Sequence, residues 1–254
     1  MKHLFIMSFI LMLWPVTGMA TSGHQLSYHI NVDTSDVASL QRGSRIFVNY
    51  CMGCHSASYM RYNRLGQDLG ISEETLKANF MFGTDKPGNT MEIAMKSADA
   101  LKFFGVAPPD LSVVARSRGA DWLYTYFMTF YRDPSRPSGV NNLQFKDVAM
   151  PHVLWELQGL QKLVYKTVTH EDGTEMEVIE SLEQESEGKM SPDEYKNTVY
   201  DLVNFLVYLA EPAKFKRQKI GIWVIVYLLS FLVLAYMLKK EYWKDVRSDG
   251  FCGM

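Results

Sequence analysis

Cysteine is scarce in this chain: three residues in 254, at Cys51, Cys54 and Cys252. A structural zinc site usually takes four Cys or His ligands arranged as two spaced pairs. No second pair exists here, and Cys252 lies at the far end. Charge of one sign is also lacking. The formal net charge is −2, without the basic excess that marks a nucleic-acid-binding protein. Internal repeats and low-complexity tracts are absent as well, so the chain reads as one globular unit with its own core rather than as a solenoid or tail.

What is present near residue 50 is Cys51-Met52-Gly53-Cys54-His55. A thioredoxin-like dithiol belongs in a βαβ context, and the flanking sequence does not read that way. The remaining reading of Cys-x-x-Cys-His is covalent attachment of a c-type haem. The two thiols become thioethers on the haem vinyl groups, and the adjacent imidazole becomes an axial iron ligand. One helical turn places both sulfurs along one porphyrin edge. A membrane-bound thiol oxidoreductase using Cys51 and Cys54 is the rival, and it predicts free thiols and no covalent haem.

The chain ends bear on the compartment. Lys2 and His3 precede an apolar run from Leu4 to Trp14, Pro15 and Gly18 break it, and Gly18-Met19-Ala20 supplies small residues for cleavage. Residues 1–20 have the form of a secretory signal peptide, with an uncleaved anchor as the alternative. Haem attachment to exported proteins fits this reading. Near the other end, Ile220 to Leu238 runs nineteen residues without a charge. At ~1.5 Å per residue it spans roughly 28 Å, about one hydrocarbon core. Trp223, Tyr227, Tyr236 and Tyr242 lie toward its ends, as interfacial aromatics do. Lysine and arginine flank both sides, so the positive-inside rule does not set the orientation. The signal peptide does. The expected layout is an exported domain at 21–218, a stop-transfer span at 219–239 and a cytoplasmic tail at 240–254, where Cys252 would be a free thiol.

Helical periodicity dominates the exported part. The spacing predicts a helix over 36–50, running into the Cys-x-x-Cys-His segment, and another from Ser72. A third lies within 91–105 and stops at Gly105. Pro108 and Pro109 force an extended entry to a helix that Asp110 would cap, running through Arg116. An aromatic-rich helix is expected over 121–131. A hairpin is expected around Asp172-Gly173. Ser191, Pro192 and Glu194 form a capping box that starts a long amphipathic helix, broken at Pro212.

An electron-transfer haem usually has a second axial ligand, Met raising the potential and His lowering it. Exported candidates are His24, His29, His152 and His170, and Met60, Met81, Met91, Met95, Met128, Met150, Met176 and Met190. Met150 stands out because it lies far downstream of the motif and is followed by Pro151, which stiffens the presenting loop. His152 is its nearest rival.

Four segments then line up: "CMGCHS", "APPDLSVVARSRGADWLYTYFMTFYRDP", "VAMPHVLWELQG" and "SPDEYKNTVYDLVNFLVYLAEPAKFKRQKIG". In this order they resemble the cytochrome c1 family of bacterial type, the haem subunit of the quinol–cytochrome c reductase (cytochrome bc1) complex. The likeness covers nearly the whole mature chain. It implies a mainly α, class I cytochrome c-like haem domain on one C-terminal transmembrane helix. It implies one covalent haem c, with Cys51 and Cys54 as thioether residues, His55 as proximal ligand and Met150 as distal ligand. Pro108, Pro109 and Leu111 would line the haem, and Arg118 would pair with a propionate. Trp122 falls where the family often has a tyrosine facing the haem. Implied partners are cytochrome b and a Rieske iron–sulfur protein in a dimeric complex, and a cytochrome c as acceptor. The implied location is the bacterial inner membrane, with the haem domain on the periplasmic side. No residue is expected to do acid–base chemistry. Quinol oxidation would belong to the assembled complex. A stand-alone membrane-tethered c-type carrier remains the alternative.

Between Glu171 and Glu187 there are eight acidic residues and no basic one. This is either a solvated loop or a docking surface for a basic cytochrome c.

Overall fold

The computed structural model describes residues 27–169 and 175–248. The expected signal peptide, His24, His170, the Asp172-Gly173 turn and Cys252 lie outside the described residues.

The first helix, α1 (Val37–Ile46), starts at Asp36, whose carboxylate accepts from the Ser39 N–H. It runs on into a π-helical turn over Phe47–Cys51, closed by Met52 N–H donating to the Phe47 carbonyl at 3.0 Å. Such wide turns are often found at functional sites. Here the turn delivers Cys51 to the buried side. A short strand β1 (Ala57–Arg61) follows, then α2 (Tyr62–Leu69) and α3 (Glu73–Asn79), which Ser72 caps. β2 (Thr90–Met91) pairs antiparallel with β1. Beyond it come α4 (Ser97–Phe104), ended by Gly105 at φ 73°, α5 (Val114–Arg118) and α6 (Ala120–Met128).

The short helix expected within 91–105 is found at Ser97–Phe104 with its stop at Gly105, after Met91 is buried in β2 against Ala57. Two other sequence expectations need correction in this stretch. Asp110 does not cap a helix. Its carboxylate instead accepts from Ser58 and from the Ser112 N–H, and α5 begins at Val114. The aromatic helix ends at Met128, not Tyr131. The buried Thr129 hydroxyl turns back onto the Thr125 carbonyl at 2.7 Å, which competes with continued helix. Phe130 then enters strand β3 (Phe130–Arg132), paired with β4 (Val140–Asn142).

After α7 (Trp155–Gln158), strands β5 (Gln161–Thr169) and β6 (Glu175–Gln184) form the long hairpin expected from sequence. The capping box is present at the start of α8 (Pro192–Ala210). The described residues end in α9 (Lys214–Ser248), in which Lys216–Lys244 is long and apolar enough to cross a membrane. The apolar side chains of this stretch are exposed, so it is not a core helix of the domain.

The core is organised by the crossing of α1 and α8. The backbones approach so closely that a Cβ at Gly43 would sit 2.0 Å from the Asp201 carbonyl oxygen. Beside that contact, Asp201 accepts from Ser39 Oγ at 2.7 Å and from Arg42 Nε and Nη2 at 2.6 and 2.9 Å. The bidentate geometry fixes the register of the helix that carries the Cys-x-x-Cys-His segment. Phe47 packs on Phe205 across the same crossing.

Candidate functional site

The turn after α1 is tight. The N–H groups of Cys54 and His55 both donate to the Cys51 carbonyl, at 3.0 and 2.9 Å. Cys51 is buried and Cys54 half-buried, and the two are not joined in a disulfide. Burial, with Cys54 beside it, pushes the Cys51 thiol up to about 12. Among the described residues, no cluster of three or more His, Cys, Asp or Glu could hold a metal ion. The zinc reading is left without ligands there.

His55 is fixed from across the chain. Its Nδ1 lies 2.7 Å from the Pro109 carbonyl oxygen. A carbonyl can only accept, so Nδ1 carries the proton and the Nε2 lone pair stays free for a metal. Burial lowers the imidazole pKa, partly opposed by that hydrogen bond and by Asp110. The segment that presents Pro109 is stitched to the motif strand. Leu111 N–H donates to the Ser56 carbonyl at 2.8 Å, and Tyr59 N–H to Ser112 Oγ at 3.1 Å. Asp110 accepts from Ser58 N–H and Oγ at 2.9 and 2.7 Å. Pro108 is half-buried and shares a cavity of about 260 Å³ with Cys54, Ser56, Met95 and Asp110. Leu111 packs on the core. The structure thus brings Cys51, Cys54, His55, Pro108, Pro109 and Leu111 into one connected group.

Met150, Trp122 and Arg118 form a second group on the same core. Met150 is half-buried, and its Sδ accepts from the Tyr126 O–H at 3.3 Å. Tyr126 stacks on Trp122, rings 5.2 Å apart and 9° from parallel, and Trp122 meets Phe145 edge-on. The Arg118 guanidinium lies 4.9 Å above the Trp122 ring and 5.9 Å from that of Phe145, a cation–π seat. His152 is buried and stacks flat on Phe130, centroids 4.8 Å apart. Burial holds its pKa down at about 4. Its Nε2 has no hydrogen-bond partner among the described residues. Packing thus commits His152 to the aromatic core, whereas the Met150 thioether is half-buried.

The sequence reading missed Tyr126. The signal was there in the spacing, since Trp122 and Tyr126 lie four residues apart within the aromatic helix and so share one of its faces. It also misassigned Asp110, whose position two residues before Ser112 is equally that of a turn-forming aspartate.

The acidic run differs from its appearance in sequence. Lys162 on β5 faces Glu183 at 3.4 Å, Lys166 faces Glu180 at 4.0 Å, and Arg132 pairs with Glu185 at 2.7 Å. Basic residues from neighbouring strands therefore face three of the eight carboxylates of the run.

The Cytochrome C1 family profile matches residues 26–246. The chain belongs to the cytochrome c1 family. It is 50% identical over 246 residues to "Cytochrome c1" of Allochromatium vinosum, covering 97% of this chain and all of that one. It is also 50% identical over 215 residues to a protein of Nitrosomonas europaea named "Ammonia monooxygenase gamma subunit", covering 85% and 86% of the two chains. Identity to the mitochondrial "Cytochrome c1, heme protein" of Schizosaccharomyces pombe is 27%, over 84% of this chain and 69% of that one.

Membership in the cytochrome c1 family makes the chain a membrane-anchored haem electron carrier of a cytochrome bc1 complex, with a covalently bound haem c. The residues present fit that group. Two cysteines outside any disulfide sit on one turn, an imidazole keeps Nε2 unprotonated, and a half-buried thioether stands on the same core.

Proposed function

We propose that this chain accepts one electron from a Rieske iron–sulfur protein and passes it to a cytochrome c. When bound, the haem supplies a one-electron iron couple whose potential is set by axial ligands, burial and hydrogen bonding. The chain's own residues do the rest. Cys51 and Cys54 would hold the group through thioethers. His55 Nε2 and Met150 Sδ would ligate its iron, and the Pro109 carbonyl holds the imidazole in the ligating tautomer. Pro108, Leu111 and Trp122 would line the group and exclude water, and Arg118 would meet a propionate. The observation that carries this reading is the 2.7 Å hydrogen bond from His55 Nδ1 to the Pro109 carbonyl. It prepares a metal-binding imidazole directly after the two cysteines.

In the proposed topology, residues 1–20 are a cleaved signal peptide and 21–218 the periplasmic haem domain. Residues 219–239 cross the bacterial inner membrane, and 240–254 lie in the cytoplasm. Cytochrome b and the Rieske protein are the partners in a dimeric complex.

A reduced-minus-oxidised visible spectrum of the protein purified from its own membranes in mild detergent tests this. Signals from b- and c-type haems together are the expected result. A c-type signal alone, under conditions that keep membrane complexes intact, favours a free tethered carrier. No haem signal returns Cys51 and Cys54 to thiol chemistry.

A further inference from the structure

Met150 is held by an unusual partner. Tyr126 is buried, and its hydroxyl reaches a thioether sulfur at 3.3 Å rather than an oxygen. The ring is fixed on all sides. It stacks on Trp122 and meets Phe127 and Phe130 edge-on, at 5.5 and 5.0 Å. Its own carbonyl accepts from Asn142 Nδ2 at 2.7 Å, which ties this turn of α6 to β4. A hydroxyl on a ring so constrained cannot swing to another acceptor without unstacking it.

A thioether sulfur has two lone pairs. One directed at iron leaves the other for the Tyr126 hydroxyl. We propose that Tyr126 is a positioning residue for the distal ligand: its O–H selects which lone pair of Met150 faces the metal and draws electron density from the sulfur. This rests on the reading of Met150 as distal ligand. The physical consequence has a sign. A donor dipole with its positive end toward the sulfur disfavours the more positively charged, oxidised iron, and so raises the reduction potential. Tyr126 lies one helical turn beyond Trp122, the position at which the family resemblance placed a haem-facing aromatic, so the role is distinct from haem lining.

The test is Tyr126→Phe in the full chain, within its membrane complex, because the phenyl ring keeps the stacking on Trp122 and loses only the donor. Redox titration of the c-type band should shift downward. The reduced-to-oxidised ratio at fixed ambient potential should fall roughly three- to tenfold, tenfold being about 59 mV for a one-electron couple. The far-red ferric band that reports thioether ligation should persist. Tyr124→Phe is the control. Tyr124 lies on the same helix, and its buried hydroxyl donates to the Lys196 carbonyl at 3.3 Å. A merely structural role predicts that both variants behave alike, and equal potentials in the two would overturn the inference. Met150→Leu separates the two layers of the argument. Loss of the far-red band there, with an unshifted potential in Tyr126→Phe, overturns the role of Tyr126 alone. A far-red band that survives Met150→Leu overturns the ligand assignment itself.

Discussion

The two sides of the proposed haem site are held by different physics. On the His55 side the anchors are hydrogen bonds to backbone and carboxylate: Pro109 to the imidazole, Leu111 to Ser56, Asp110 to Ser58. Behind them stands the α1–α8 crossing, with helix backbones in contact at Gly43. On the Met150 side the anchors are aromatic faces, a column from Arg118 through Trp122, Tyr126 and Phe130 to His152, with one hydrogen bond to the ligand sulfur. Directional bonds suit a ligand that is also covalently tethered next door, since its position is already fixed. A thioether on a separate loop has no such tether, so shape and dispersion must keep it in reach.

The sharpest break of this contrast is Phe130→Ala. Phe130 is essentially fully buried and touches both Tyr126 and His152. Its removal should cost about 4 kcal/mol, as for other buried phenylalanines. The loss should fall on the distal side. Covalent haem, read by staining on a denaturing gel, should remain, while the far-red thioether band weakens. Equal loss of both signals would mean that the two sides are not separable.

Gly43→Ala strikes the other half. The added methyl would meet the Asp201 carbonyl at 2.0 Å and Phe205 Cβ at 2.8 Å, and backbone cannot step aside as a side chain can. Overpacking of this kind should cost about 3 kcal/mol, above the small helix-propensity gain of alanine. The expected readout is less covalent haem per chain, because the turn carrying Cys51 is delivered by this helix. A chain with normal haem content and an unchanged denaturant midpoint would show that the crossing does not govern the motif.

Legibility in the sequence follows the same divide. The motif, the capping box of α8 and the apolar terminal helix are contiguous patterns, readable from neighbours alone. The hairpin strands were readable too, although their cross-strand lysines were not. They belong to β5, outside the acidic run that drew attention. The errors share one cause, a long-range contact overriding a local signal. Phe130 leaves a helical pattern to pair with Asn142. Asp110 abandons a capping role for Ser58, more than fifty residues earlier in the chain. The spacing put Tyr126 on the face of Trp122, but its contact with Met150 exists only once that loop has folded against α6.

Asp110 gives the smallest expected effect and a distinct sign. Burial alone would raise its carboxyl, yet hydrogen bonds from Ser112 and Ser58 outweigh it and hold the folded pKa below the ordinary 3.8. A depressed carboxylate contributes stability that is complete above its unfolded value and is lost as pH falls through the folded one. The proximal side should therefore loosen as pH drops below about 3.8. The aromatic column should weaken earlier, because buried His152 stays neutral down to about 4 while the unfolded imidazole takes up its proton near 6.5, so that stability is lost between those two values. Denaturant midpoints followed from neutral pH downward should show a shallower acid limb in Asp110→Asn than in the parent, with the variant already weaker at neutrality. Asp110 is largely solvent-exposed, so the difference should be modest. Superimposable acid limbs would mean that the serine hydrogen bonds carry no net stabilisation, leaving the Pro109 carbonyl and the helix crossing to hold His55 by themselves.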